Sequence, residues 1–299
     1  MNIALYIITP LIGLLLVTYF LLRRFVLNKL PNNYPTPENI AATQGKKVVV
    51  CAGDSNTQGN MGENWVVRVE KNFPQYAFLN AGINGDLTYT LMARWEDVIA
   101  AKPDFVTILI GTNDVNATMG AKKEKRYRQM KKVFTMPTYK DFRENLIAMI
   151  EALKEQTSAH IAIMSLPLIG EDLAHAVNLK ADKYSEAIKG IADLHKIDYL
   201  PLREKQKAYL EKQPSKPKYT FEDTDKLIYY AVVLRYLLFQ SFDKIARIMG
   251  FQLLTDNLHQ NGTSAQMIAD LVQEFIQKYE EKPPFTLPFT PPFTQISTD

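Results

Sequence analysis

The chain has 299 residues, 46% of them hydrophobic and 22% charged, which excludes a disordered or collagen-like polymer and leaves room for one large α/β domain. A net charge of +3 is too small to argue for a nucleic-acid partner, and neither zinc-finger spacing nor an RRM-type aromatic motif is present. The single cysteine, Cys51, excludes an internal disulfide and a cysteine metal cluster, and no metal or cofactor site is expected.

Residues 3–22 form an uncharged, apolar stretch. At 1.5 Å per residue, such a helix reaches roughly 30 Å, enough to cross a bilayer. No Lys or Arg precedes it, and it ends Tyr19-Phe20-Leu21-Leu22-Arg23-Arg24 without a small-x-small cleavage site. It therefore reads as an uncleaved single-pass transmembrane anchor, residues 1–24, rather than a signal peptide. Arg23, Arg24, Lys29, Lys46 and Lys47 follow it, so the positive-inside rule turns the rest of the chain toward the cytoplasm. Residues 25–45 carry Pro31, Pro35 and Pro37 and read as a linker.

From residue 46 to 281 strands and helices alternate. Strand-like runs cover 46–52, 76–80, 105–111, 160–166 and 197–200; helix-like runs cover 63–73, 87–101, 139–156, 172–194 and 264–279. This order predicts a parallel sheet of about five strands with helices on both faces. The ligand site of such a sheet lies beyond the C-terminal strand ends. Residues 282–299 contain the triplet Pro-Phe-Thr three times and read as a disordered, polyproline-like tail.

Those strand ends carry the chemistry. The first ends on Gly53-Asp54-Ser55, the second on Asn80-Ala81-Gly82-Ile83-Asn84-Gly85-Asp86, and the third on Gly111-Thr112-Asn113-Asp114. Near the C-terminus stands Asp256-Asn257-Leu258-His259. Each part suits acyl transfer. A serine hydroxyl needs a base to take its proton as it attacks, which His259 can do with Asp256 holding the imidazole tautomer. The oxyanion of a tetrahedral intermediate needs preorganised donors. The backbone N–H groups of Ser55 and Gly82 and the side-chain amide of Asn113 would supply three. Asp54 and Asp114 read as supports of their loops.

These four blocks, in this order, resemble the SGNH (GDSL-type) hydrolase superfamily, named for Ser, Gly, Asn and His; they map onto Ser55, Gly82, Asn113 and His259, with Asp256 completing the triad. The resemblance spans about residues 46–279. It implies a flavodoxin-like three-layer α/β/α sandwich and hydrolysis of a small-molecule or lipid ester without metal or organic cofactor. G-x-S-x-G is absent, Thr57 standing where its second glycine would be, which argues against the α/β-hydrolase fold. An O-acyltransferase and a non-catalytic, membrane-tethered binding module remain as alternatives.

Other features read as follows. Asp172 and His175 repeat the Asp-x-x-His spacing but fall within a predicted helix, as a surface ion pair. His160 and His195 read as structural. Thr263 and Gln266 fit a capping box that would fix the loop carrying His259. The basic run from Lys122 to Lys132 reads equally as a rim attracting anions or as a solvated face. The apolar run 227–239 is too short to span a membrane; it reads as a buried helix, with a pocket wall or lid as the other possibility.

Overall fold

The computed structural model describes residues 20–280, together with residues 13, 17 and 18. Most of the stretch 3–22 and all of the Pro-Phe-Thr tail lie outside the described residues. Among the described residues, no helix is long and apolar enough to cross a membrane.

The five apolar runs form β1 (Lys47–Gly53), β2 (Tyr76–Gly82), β3 (Phe105–Leu109), β4 (His160–Met164) and β5 (Asp198–Leu200). All pair in parallel, in the order β2-β1-β3-β4-β5. This order reverses at β1 and β3, the flavodoxin-like arrangement, and a crevice opens where strands diverge at such a point. Side chains alternate along β1. Val48, Val50 and Ala52 join a core packed against Trp95–Ala100, Tyr139–Gln156 and Ala176–His195. Val49 and Cys51 join a second core beneath Trp65–Glu70 and Gly262–Glu280. Both faces are covered, so the strands read as continuous apolar runs rather than alternating ones. Cys51 is fully buried, and burial pushes its thiol up to about 12, so it stays a small apolar filler.

Several helix limits differ from expectation. The run 87–101 breaks into Thr88–Met92 and Trp95–Ala100. Between them Arg94 turns its guanidinium to Asp86, at 2.7 Å, and donates to the Gly53 carbonyl at 3.2 Å. The helix expected over 172–194 starts at Ala176, with His175 as its cap. The last helix is capped two residues earlier than expected: Asn261 Oδ1, not Thr263, accepts from the Ser264 N–H, at 3.1 Å. The segment 25–45 is built into the domain. Asn33 donates to the Phe78 carbonyl and accepts from the Asn80 N–H, each at 3.0 Å, and Tyr34 donates to Asp97.

Gly53 closes β1 where it runs close against the end of β3. A Cβ there would lie 2.4 Å from the Leu109 carbonyl oxygen and 2.3 Å from Thr57 Oγ1. Only glycine lets β1 and β3 approach this closely at the strand ends. Gly53→Ala is expected to destabilise the protein by roughly 1–3 kcal/mol through overpacking, read as a lowered urea midpoint at unchanged slope.

Candidate active site

Asp54 and Ser55 emerge at the end of β1, where the chain turns into the single-turn helix Ser55–Gln58. Asp54 caps it, accepting from the Asn56 N–H at 2.9 Å, which fixes Ser55 at the first helical position. His259 arrives from the other end of the chain on a tight loop. Leu254 and Gln260 form an antiparallel bridge, and the Thr255 N–H donates to the His259 carbonyl at 2.8 Å. Between them Asn257 takes a left-handed φ of 76°. Asp256 Oδ1 accepts from the N–H groups of Leu258 and His259 at 3.1 and 3.0 Å, so the carboxylate shapes the loop that carries its own partner.

Asp256, His259 and Ser55 form one continuous hydrogen-bonded chain. His259 Nδ1 lies 2.8 Å from Asp256 Oδ2, and His259 Nε2 lies 2.9 Å from Ser55 Oγ. Nδ1 facing a carboxylate donates, which leaves Nε2 as the acceptor for the serine hydroxyl. The side chains are enclosed: Asp256 is 0%, His259 4% and Ser55 6% exposed. The strand-end residues Ser55 and Asn113 and the C-terminal His259 share the wall of one cavity of about 760 Å³.

Gly82 does not reach this cavity. Its N–H donates to Asn80 Oδ1 at 2.9 Å, and a Cβ there would strike the Gln58 backbone nitrogen at 2.2 Å. Its smallness serves packing of the Ser55 helix on β2. Gly85, three residues on, lines the cavity instead, with φ at +74°. A left-handed conformation of this kind is one that glycine adopts without steric cost.

Asn113 begins Thr112–Ala117 and is held from both ends. Its Nδ2 donates to Asp54 Oδ2 at 3.1 Å and to the Asp86 carbonyl at 2.9 Å. Its Oδ1 accepts from the Tyr127 hydroxyl at 2.6 Å, which itself accepts from Asn116 Nδ2 at 2.9 Å. Tyr127 comes from the middle of the basic run, which forms the helix Ala121–Lys131. Nothing in its spacing marked it, because a tyrosine among lysines reads as a surface residue. The cations of this run that border the cavity are already paired. Lys131 meets Asp86 at 2.5 Å, and Arg126 pairs with Asp225. The reading of the run as an anion-attracting rim is weakened accordingly.

Glu171 was also missed. It lies beyond β4, and its carboxylate accepts from the backbone N–H groups of Gln252, Leu253 and Leu254 at 2.7–3.1 Å, anchoring the strand-like entry to the His259 loop. Burial raises its pKa against the pull of these donors. Asp172 and His175 do not pair as expected. His175 Nδ1 accepts from the Val177 N–H, and its Nε2 meets Glu222 at 3.2 Å. His160 stacks on Tyr279 at 3.7 Å between ring centroids, far from the cavity residues in the fold.

Residues 51–230 match the model of the GDSL-like Lipase/Acylhydrolase family. The chain belongs to this family. Among curated relatives, the "Uncharacterized lipoprotein YqeF" of Bacillus subtilis (strain 168) is 31% identical over 140 residues, 42% of this chain and 51% of that protein. An acetylxylan esterase of Geobacillus stearothermophilus is 60% identical over 38 residues, 12% of this chain and 17% of that one. The chain thus matches about half the length of the first relative and far less of the second. Among solved structures, the acetyl xylan esterase AlAXEase superposes with a TM-score of 0.54 at 22% identity, over 76% of this chain and 98% of its own. Axe2, an acetylxylan esterase from Geobacillus stearothermophilus, gives 0.54 at 20% identity, over 78% and 94%. At such identity these likenesses establish a shared fold.

Asp54 offers a pH test. It is fully enclosed near Asp86 and Asp114, and burial pushes its carboxyl up to about 7; Asp114 is pushed to about 6 by the same cause. A raised carboxyl pKa means that the folded state holds the proton more tightly than the unfolded chain. Its stabilising contribution is complete below the unfolded value near 3.8 and is lost as pH rises through about 7. Asp54→Asn is expected to flatten that part of the decline, measured as the pH dependence of the unfolding free energy between pH 4 and 8.

Proposed function

We propose that this protein hydrolyses a carboxylic ester through an acyl-enzyme on Ser55. The observation that carries the reading is the continuous relay of Asp256, His259 and Ser55, with bonds of 2.8 and 2.9 Å, opening on a cavity. Ser55 Oγ attacks the acyl carbon while its proton passes to His259 Nε2. Asp256 stabilises the imidazolium. As the tetrahedral intermediate collapses, His259 returns the proton to the departing alcohol oxygen. Water then attacks the acyl-serine, giving its proton to His259, and collapse frees the carboxylic acid and restores Ser55.

The oxyanion is assigned to the N–H groups of Ser55 and Gly85 and to Asn113 Nδ2. Gly85 replaces Gly82 in this role because the Gly82 N–H is bound to Asn80 and Gly85 lines the cavity. The longer of the two Asn113 bonds, that to Asp54, is the one exchanged for the oxyanion. Tyr127 is a positioning residue here: its hydroxyl fixes which end of the Asn113 amide faces inward and polarises it. Two relatives are acetylxylan esterases, so an acetyl ester is the first acyl group to try.

Ser55→Ala is expected to lower p-nitrophenyl acetate turnover roughly 10⁴-fold or more with an unchanged melting temperature. His259→Ala should fall comparably, whereas His175→Ala should stay near wild type; equal losses in the two histidine variants would defeat the assignment. Tyr127→Phe should lower kcat about tenfold, the equivalent of one lost hydrogen bond in the transition state, with KM little changed. A rise in KM alone would contradict a positioning role.

A further inference from the structure

The cavity has a wall that belongs to no strand end: Leu27, Asn28 and Leu30, from the segment that follows the apolar stretch 3–22. Three side-chain amides clamp this segment by its carbonyls. Gln58 Nε2 donates to Lys29 at 2.8 Å, Asn60 Nδ2 to Val26 at 3.1 Å, and Asn84 Nδ2 to Leu27 at 2.7 Å. Gln58 ends the Ser55 helix, and Asn84 immediately precedes Gly85. The clamp also closes on itself, because Gln58 Oε1 accepts from the Asn84 N–H and Asn60 Oδ1 from Asn84 Nδ2. The segment is therefore locked to both the nucleophile and the proposed oxyanion donor.

Its approach is equally short. The helical turn Arg23–Leu27 is 5 residues long and joins Leu22 to the cavity wall. At helical rise that is under about 10 Å. Leu22 and Leu27 pack beside Val232 and Tyr236 of the helix Thr224–Tyr236, and Ile228 of that helix also lines the cavity. Around this junction, apolar side chains face outward. Val17, Phe20 and Leu21 are each more than half exposed, as are Leu238 and Phe239 just beyond Tyr236. Lys29, exposed, stands beside them, as a cation does at a headgroup boundary.

We infer that the active-site cavity opens at a lipid bilayer surface, with residues 26–30 as a rigid strap between membrane and site, and that the substrate ester is carried by a membrane-resident amphiphile. This rests on the esterase reading above. A flexible linker would let the domain sample the solution; a strap clamped at three points, under about 10 Å from the apolar stretch, does not. The ester carbonyl must be reached within the headgroup region.

The test uses the full chain reconstituted in phosphatidylcholine vesicles. Two acetyl esters differ only in their alcohol: water-soluble p-nitrophenyl acetate, and 1,2-dipalmitoyl-3-acetylglycerol held in the bilayer. A second protein carries a 20-residue Gly/Ser spacer inserted between Leu22 and Arg23, leaving the strap and site intact. Such a spacer moves the site away by about 25 Å on average. The expected result is flotation of both proteins with vesicles, unchanged p-nitrophenyl acetate turnover, and a loss of about tenfold or more on the bilayer ester in the spacer protein alone. Bilayer-ester turnover that is absent in the parent or indifferent to the spacer, with p-nitrophenyl acetate still hydrolysed, would overturn the inference and leave the esterase reading standing. Failure of the parent chain to float would overturn it too. Loss of both activities in the parent would overturn the esterase reading itself.

Discussion

The hydrogen bond between His259 and Ser55 joins residues 204 apart, and most of the molecule is arranged so that it forms. Ser55 is set by the β1 terminus, whose position depends on Gly53 admitting the Leu109 carbonyl. His259 is set by a loop whose backbone is satisfied before the imidazole is considered: Asp256 takes two of its N–H groups, and Glu171 takes three more just upstream. A buried loop with unpaired amides would cost too much to persist. Asp256 therefore does double duty, as a hydrogen-bond acceptor for the backbone and as the carboxylate facing the His259 ring.

That arrangement is costly in stability. Asp54, Asp86 and Asp114 are all nearly fully buried around Asn113. Asp86 is offset by Arg94 and Lys131, and Asp114 by the Thr88 hydroxyl and amide. Asp54 has two amide donors, the Asn56 backbone N–H and Asn113 Nδ2, but no cation paired with it among the described residues, and its carboxyl is displaced further than that of Asp114. The two cores on either face of the sheet supply the compensating burial, at roughly 1.5–3 kcal/mol for each large apolar side chain enclosed. Desolvation of carboxylates is concentrated where the chemistry is proposed.

The sheet was legible because strands buried on both faces leave an apolar run that no surface element imitates; all five runs lie where strands form. That Ser55, Asp256 and His259 would come together was legible because each sits in a short local block at a strand end or loop. Gly82 was not separable from Gly85 by sequence. Both stand in one glycine-containing turn; the Asn80 side chain takes the Gly82 N–H, and Gly85, at a positive φ, lines the cavity. Tyr127 and Glu171 act through contacts with residues distant in the chain, 14 residues away for Asn113 and 81 to 83 for the Gln252–Leu254 backbone. The segment 25–45 has the proline and asparagine content of a linker. Its ordering comes from amides of Gln58, Asn60 and Asn84 on residues 26–29 and from bonds of Asn33 and Tyr34 to the domain, partners that composition does not reveal.

The most direct test of the account is covalent labelling of the full-length protein with a fluorophosphonate, followed by peptide mass spectrometry. The probe reacts with a serine only when a neighbouring base withdraws its proton and an oxyanion site receives the phosphoryl oxygen. A single adduct is expected, on Ser55, that disappears in His259→Ala. An adduct on another residue, or labelling of Ser55 that survives loss of His259, would contradict it.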